Sequence, residues 1–214
     1  MIEQLRRARP EARFLELVHR LDKETSGILV IAKKRSALTA LQDHFRERRA
    51  HKTYAALVIG QWPGSKKVID VALHKFLTAE GERRVKAVRG DSDEGRRSIS
   101  LVKVVQHFKA FSLLDVTIKT GRTHQIRVHL ASEGYPIVGD EKYGDFAVNR
   151  ALARGTGMDG VRAAELPGGR FERMFLHARY LSLPHPVTAE SLVFEVPLPS
   201  ECQGLLAALD QANR

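Results

Sequence analysis

The stretch ISLVKVVQHFKAFSLLDVTIK, residues 99–119, decides the fold. Its two halves, 99–108 and 111–119, are rich in β-branched and aromatic residues and read as strands. Only Lys109 and Ala110 separate them, too short a link for the crossover a parallel pair requires, so the strands are antiparallel. Outward from this pair, TYAALVIG (53–60), GILVIAK (27–33) and SLVFEVPLP (191–199) read as further strands. Helices are expected at 2–9, at 36–49 with Ser36 as N-cap, at 123–134 closed by Gly134, and at 203–212. The polar run 78–97 reads as a hairpin or loop, and the glycine-rich 154–170 as a loop. Strands and helices mix without regular β-α-β alternation. The expected class is therefore α+β, with a mixed, mainly antiparallel sheet flanked by helices.

Composition narrows the classes of function. The 214 residues suit one sizeable domain, with hydrophobic and charged fractions of 43% and 28%. No apolar run reaches the ~20 residues of a transmembrane helix, and the N-terminal stretch lacks the apolar core of a secretory signal. One cysteine, Cys202, excludes an internal disulfide framework and fits a reducing, cytoplasmic setting. The net charge of +10 is uneven: residues 1–53 hold 13 basic and 7 acidic residues, whereas 146–214 hold 7 of each. A basic N-terminal and central region points to a polyanion, with nucleic acid ahead of a membrane surface. No dinucleotide or phosphate-loop signature precedes a helix, so no nucleotide cofactor is indicated.

Two clusters carry candidate chemistry. In ELVHRLDKETSGILVIAK (16–33), Asp22 precedes a strand within a run of charge and hydroxyls. Taken alone, such residues shape turns. Arg20 is two residues away and would flank the carboxylate on an extended backbone. In TGRTHQIRVHLASEGYPIVGDEKYG (120–144), a helix would put Thr123 and Arg127 on one face beside the apolar stripe of Ile126 and Leu130. A guanidinium there either has a fixed anionic partner or snorkels to solvent from the helix flank. His124 and His129 are five apart with no Cys/His companions, so a zinc site is rejected. Tyr54 opens a strand, where packing is its ordinary role.

Four segments in order, HRLDKETSGILVIAK, KTYAALVIG, TGRTHQIRVHLASEGYPIVGDEKYG and FLHARYLSLPHP (175–186), closely resemble the motifs of the RluA-type family of RNA pseudouridine synthases. The resemblance implies the α+β fold of that family with a central cleft, and an isomerase of uridines in large-subunit rRNA. It implies Asp22 as nucleophile, Tyr54 stacked on a flipped base, and Arg127 paired with Asp22. Arg20 would enter the RNA helix, Leu176 would line the uracil pocket, and His19, Arg122 and His124 would contact RNA. No metal or cofactor is implied, and the family suggests a monomer. Residues 1–214 would form the catalytic domain, without the S4-type RNA-binding domain and first catalytic strand expected upstream. A tRNA uridine isomerase and a non-catalytic rRNA-binding or ribosome-assembly factor remain as alternatives.

Overall fold

A computed structural model describes residues 2–88, 94–155 and 170–212. Its centre is a seven-stranded sheet. The long strands β4 (His51–Ile59), β8 (Ile99–His107), β9 (Phe111–Ile118) and β10 (Leu176–Pro184) run antiparallel to their neighbours, with β5 (Val68–Asp70) at one edge and β11 (Ser191–Glu195) at the other. The pair read from 99–119 is present, with Val102 opposite Val116 and Val104 opposite Leu114. The mixed character comes from one short strand, β2 (Ser26–Gly27), which pairs parallel with β10.

Period-two alternation along β4 divides the core. Tyr54, Ala56 and Val58 pack with Ile126 and Leu130 of α3 (Gln125–Ser132) on one face. Leu57 packs with Phe175, Leu205 and Leu209 on the other, under α5 (Ser200–Ala212). α2 (Arg35–Arg46) lays Leu41, Leu38 and Phe45 against Val18, Ala32 and the distal β10 residues Leu181 and Leu183. Here a two-stranded ribbon joins β1 (Glu16–Leu17) to β3 (Ile31–Ala32). A hairpin of β6 (Ala72–Leu77) and β7 (Arg83–Val88) rests Leu73 and Val85 on Val128 of α3. α1 (Ile2–Ala8) and α4 (Phe146–Arg154) complete the described chain.

Several expectations are corrected. The single strand over 27–33 is two short ones, because Gly27 turns with φ +112° to pair with β10 while Ile31 pairs with β1. α2 starts at Arg35 behind an extended Lys34, with no side-chain cap, so Ser36 lies inside the helix. α3 starts at Gln125, leaving Thr123 outside it; Gly134 ends this segment at φ +86° as expected. The polar run 78–97 contains β7, whose charges face outward from a short hairpin; residues 89–93 of that run lie outside the described residues. So does most of the expected loop 154–170, and α4 just before it was not anticipated. Among the described residues no helix is long and apolar enough to cross a membrane.

Candidate active site

A cleft of about 780 Å³ opens where the N-terminal ends of β4 and α3, the end of β9, and the loop before β2 converge. All eight residues singled out from the sequence line it: His19, Arg20, Asp22, Tyr54, Arg122, His124, Arg127 and Leu176. Seven arginines and lysines line the cleft against one carboxylate, Asp22. Among the described residues Arg20, Arg48, Lys52, Lys119 and Arg122 have no carboxylate partner. A basic cleft with unpaired cations is shaped for a polyanion. The lone acid within it needs a reason other than electrostatic balance.

The loop bearing Asp22 is held firmly on its C-terminal side. Thr25 N–H donates to the Asp22 carbonyl at 3.0 Å, closing a turn. Ser26 then enters β2, where its hydroxyl meets His177 Nδ1 of β10 at 2.9 Å. Ile28 N–H donates to Ala178 O at 2.9 Å. A methyl on Gly27 would overlap the Ala178 carbonyl, so this close approach requires glycine. The turn therefore presents Asp22 at the edge of the sheet, beside Leu176 and Tyr54.

Arg127 is buried, and its geometry differs from the expected simple pair. Its Nε and Nη2 each donate to one oxygen of buried Asp140 at 2.7 Å, a bidentate contact. Its Nη1 lies 3.7 Å from Asp22 Oδ2. Asp140 also accepts the N–H groups of Lys142 and Tyr143, at 2.8 and 3.0 Å. Arg127 is thus an arm fixed by Asp140 whose free corner faces Asp22. Burial opposes the charge of both partners. The hydrogen bond and mutual attraction outweigh it, so the Asp140 carboxyl stays below the usual range and Arg127 titrates above its own. Asp140 was missed from sequence because its partner is set by folding, not by helical spacing.

Two further positioning residues escaped the sequence reading. Tyr143 lies under Arg127, with the guanidinium 5.2 Å from its ring centre. Its hydroxyl accepts the Val85 N–H at 3.1 Å and meets His124 Nδ1 at 2.8 Å. Gln125 shapes the loop 120–124: its Oε1 accepts from the Thr120 hydroxyl and the Arg122 N–H, at 2.7 and 3.1 Å. His124 occupies the left-handed region at φ +52°, a conformation rare outside glycine and common at functional sites. Burial lowers the affinity of its ring for a proton.

Tyr54 is 7% exposed and lies between Val116 and Ala178 on the neighbouring strands. Burial, then the charge of Asp22, pushes its phenol well above the ordinary value, so it stays neutral near pH 7. His19 accepts the Val30 N–H on Nε2 at 3.1 Å, which leaves the neutral ring's proton on Nδ1. Burial, then the nearby Lys52, lowers its pKa to about 4. Among the described residues no group of three or more His, Cys, Asp or Glu side chains is placed to hold a metal ion.

Residues 3–132 match the family described as RNA pseudouridylate synthase. The chain belongs to that family. The protein is similar to ribosomal large subunit pseudouridine synthase C of Yersinia pestis, 44% identical over 209 residues, covering 98% of this chain and 60% of the relative. Against the protein of the same name from Escherichia coli (strain K12), identity is 43% over the whole chain and 62% of the relative. The chain thus spans about three fifths of these curated relatives. The fold is similar to the solved structures of human RNA pseudouridylate synthase domain containing 1 and domain containing 4. Each gives a TM-score of 0.73 at 29% identity, covering 94% of this chain and 76% and 77% of theirs. The expected family and α+β fold are both observed.

Proposed function

We propose that this chain is the catalytic domain of an enzyme that isomerises uridine to pseudouridine in large-subunit rRNA, with Asp22 as its reacting group. The observation that carries the reading is the placement of one carboxylate, held by Arg127 and flanked by Tyr54, in a cleft whose arginines and lysines are its only other charged residues besides histidine. The names of the Yersinia pestis and Escherichia coli relatives support rRNA as the substrate class ahead of tRNA. We take the protein to act as a cytoplasmic monomer on free rRNA or a precursor particle.

The reaction breaks the N1–C1′ bond of a uridine, turns the uracil, and joins C5 to C1′. The proton leaving C5 is balanced by one gained at N1, so no electrons are exchanged. A carboxylate suits this chemistry because it can attack the sugar or the base, or take a ribose proton. Arg127, fixed by Asp140, holds Asp22 oriented and favours its charged form. Exposed Arg20 stands two residues from Asp22, where it can fill the stack vacated by an extruded base. Tyr54 offers an aromatic face to that base and Leu176 an apolar wall. His19, Arg122 and His124 border the path of the strand.

The test is pseudouridine mapping by carbodiimide-blocked primer extension on unmodified large-subunit rRNA and on tRNA. The native chain gives defined stops on rRNA, and Asp22→Asn gives none while RNA binding persists. Stops that survive the substitution, or binding without stops by the native chain, would sink the catalytic assignment. Stops confined to tRNA would move the substrate.

A further inference from the structure

Lys52 is the cleft cation whose surroundings least resemble an ordinary surface lysine. It sits two residues before Tyr54 on β4, so both side chains leave the strand on the cleft face, roughly 6–7 Å apart along it. Ile118 and Leu181 are its partners on the flanking strands, and both are apolar. The ammonium lies 5.1 Å from the ring centre of Phe45, which also stacks at 4.8 Å on His19. Next to the ammonium is Gly121, in the loop that carries Arg122.

Arg127 in the same cleft has Asp140; Lys52 has no carboxylate partner among the described residues. The charged and titratable groups that share the cleft with it are His19 and Arg20 before β2, Arg46 at the end of α2, Arg48 and His51 around the start of β4, Lys119, Arg122 and His124 after β9, and Arg127 of α3. Tyr54 and Asp22 lie further along the cleft wall. Only Asp22 is acidic, and it is engaged by Arg127. A desolvated ammonium without an anion is costly unless a ligand supplies one.

We propose that Lys52 is a phosphodiester subsite: it receives a backbone phosphate of the RNA beside the nucleotide stacked on Tyr54. The inference rests on the RNA reading above and adds proton linkage to it. Burial lowers the Lys52 pKa to about 8 in the free protein. A phosphate anion next to the ammonium raises it again, so binding draws in a proton whenever the free site has lost one. RNA affinity then falls as pH rises through 8, although the RNA phosphates do not change charge there. His19, with its pKa near 4, stays neutral throughout and contributes nothing to this window.

The test measures binding of an unmodified large-subunit rRNA transcript by the native chain, Lys52→Met and Lys52→Arg, over a salt series at pH 7 and pH 9. Native affinity falls severalfold to tenfold between the two pH values. Lys52→Met binds more weakly at pH 7, loses this pH step, and has a salt slope smaller by about one. Lys52→Arg keeps the native salt slope and also loses the pH step, since arginine does not titrate there. Native slope and pH step in Lys52→Met would overturn the inference and leave the RNA reading intact. A native chain with no salt-dependent RNA binding would overturn both. Thermal melting accompanies the binding data. Methionine replaces an unpaired, desolvated charge, so the variant melts no lower than the native chain; a lower melting temperature would mark Lys52 as structural and overturn the subsite.

Discussion

Asp140 does not line the cleft, yet it decides where Arg127 points. Its carboxylate receives both the Arg127 fork and two backbone N–H groups, so four donors converge on one buried side chain. Asp140→Asn leaves a buried guanidinium without its counter-charge and should cost about 3–5 kcal/mol of stability by urea denaturation. Residual folded protein should make pseudouridine far more slowly, because Arg127 Nη1 is no longer aimed at Asp22. Arg127→Lys cannot reproduce the bidentate contact and should behave alike. At Tyr54 the ring and the hydroxyl can be separated. Tyr54→Phe keeps the stacking face, whereas Tyr54→Ala should lower RNA-dependent turnover about 10- to 100-fold, the worth of one base stack. Equal rates for Phe and Ala would remove the stacking role. Asp22, Tyr54 and Arg127 were legible in sequence through motif resemblance. Asp140 was not, since a loop acid thirteen residues from its partner carries no periodic signal.

At the scale of elements, the site hangs on the parallel pairing of β2 with β10. Two residues, Ser26 and Gly27, make that contact. Gly27→Ala forces a side chain into the Ala178 carbonyl at a positive φ, so the Asp22 turn must leave β10. Activity should fall by orders of magnitude while far-ultraviolet circular dichroism changes little, since the long strands do not depend on this pairing. Full activity would show that the turn holds itself. Of the long strands, β4, β8 and β9 were legible because β-branched runs and a two-residue link leave little choice of pairing, whereas β10 was read only as a motif. β2 and β3 were not: a continuous apolar run reads as one strand, and only the competing partners β10 and β1 divide it. The β6–β7 hairpin was legible only as the hairpin-or-loop reading of 78–97, because its charges face solvent while Leu73 and Val85 carry the packing.

For the whole molecule, the buried titratable groups give stability a pH dependence. His19 binds a proton at about 6.5 when unfolded and at about 4 when folded. Below 6.5 the unfolded chain therefore takes up protons that the folded chain refuses, and stability falls until pH reaches about 4. The His19 share should amount to a few kcal/mol at most by urea midpoints at pH 7 and pH 4.5, and His19→Gln should reduce the loss, the remainder coming from His124, His129 and His177, whose protonation burial also disfavours. Asp140 adds a further loss at lower pH, because its folded carboxyl resists protonation longer than the unfolded one. An unchanged midpoint between pH 7 and pH 4.5 would refute the His19 assignment.

The contact between Ser26 and His177 spans 151 positions of the chain. During synthesis Asp22 emerges ahead of β4, β8, β9 and α3, and the strand that clasps its turn, β10, follows all of these. An N-terminal piece ending before Leu176 would hold every cation of the cleft and still lack the edge against which the acid is braced. On the function proposed above, competence for chemistry is therefore a late event in the life of each molecule, since the acid is braced only once β10 is in place.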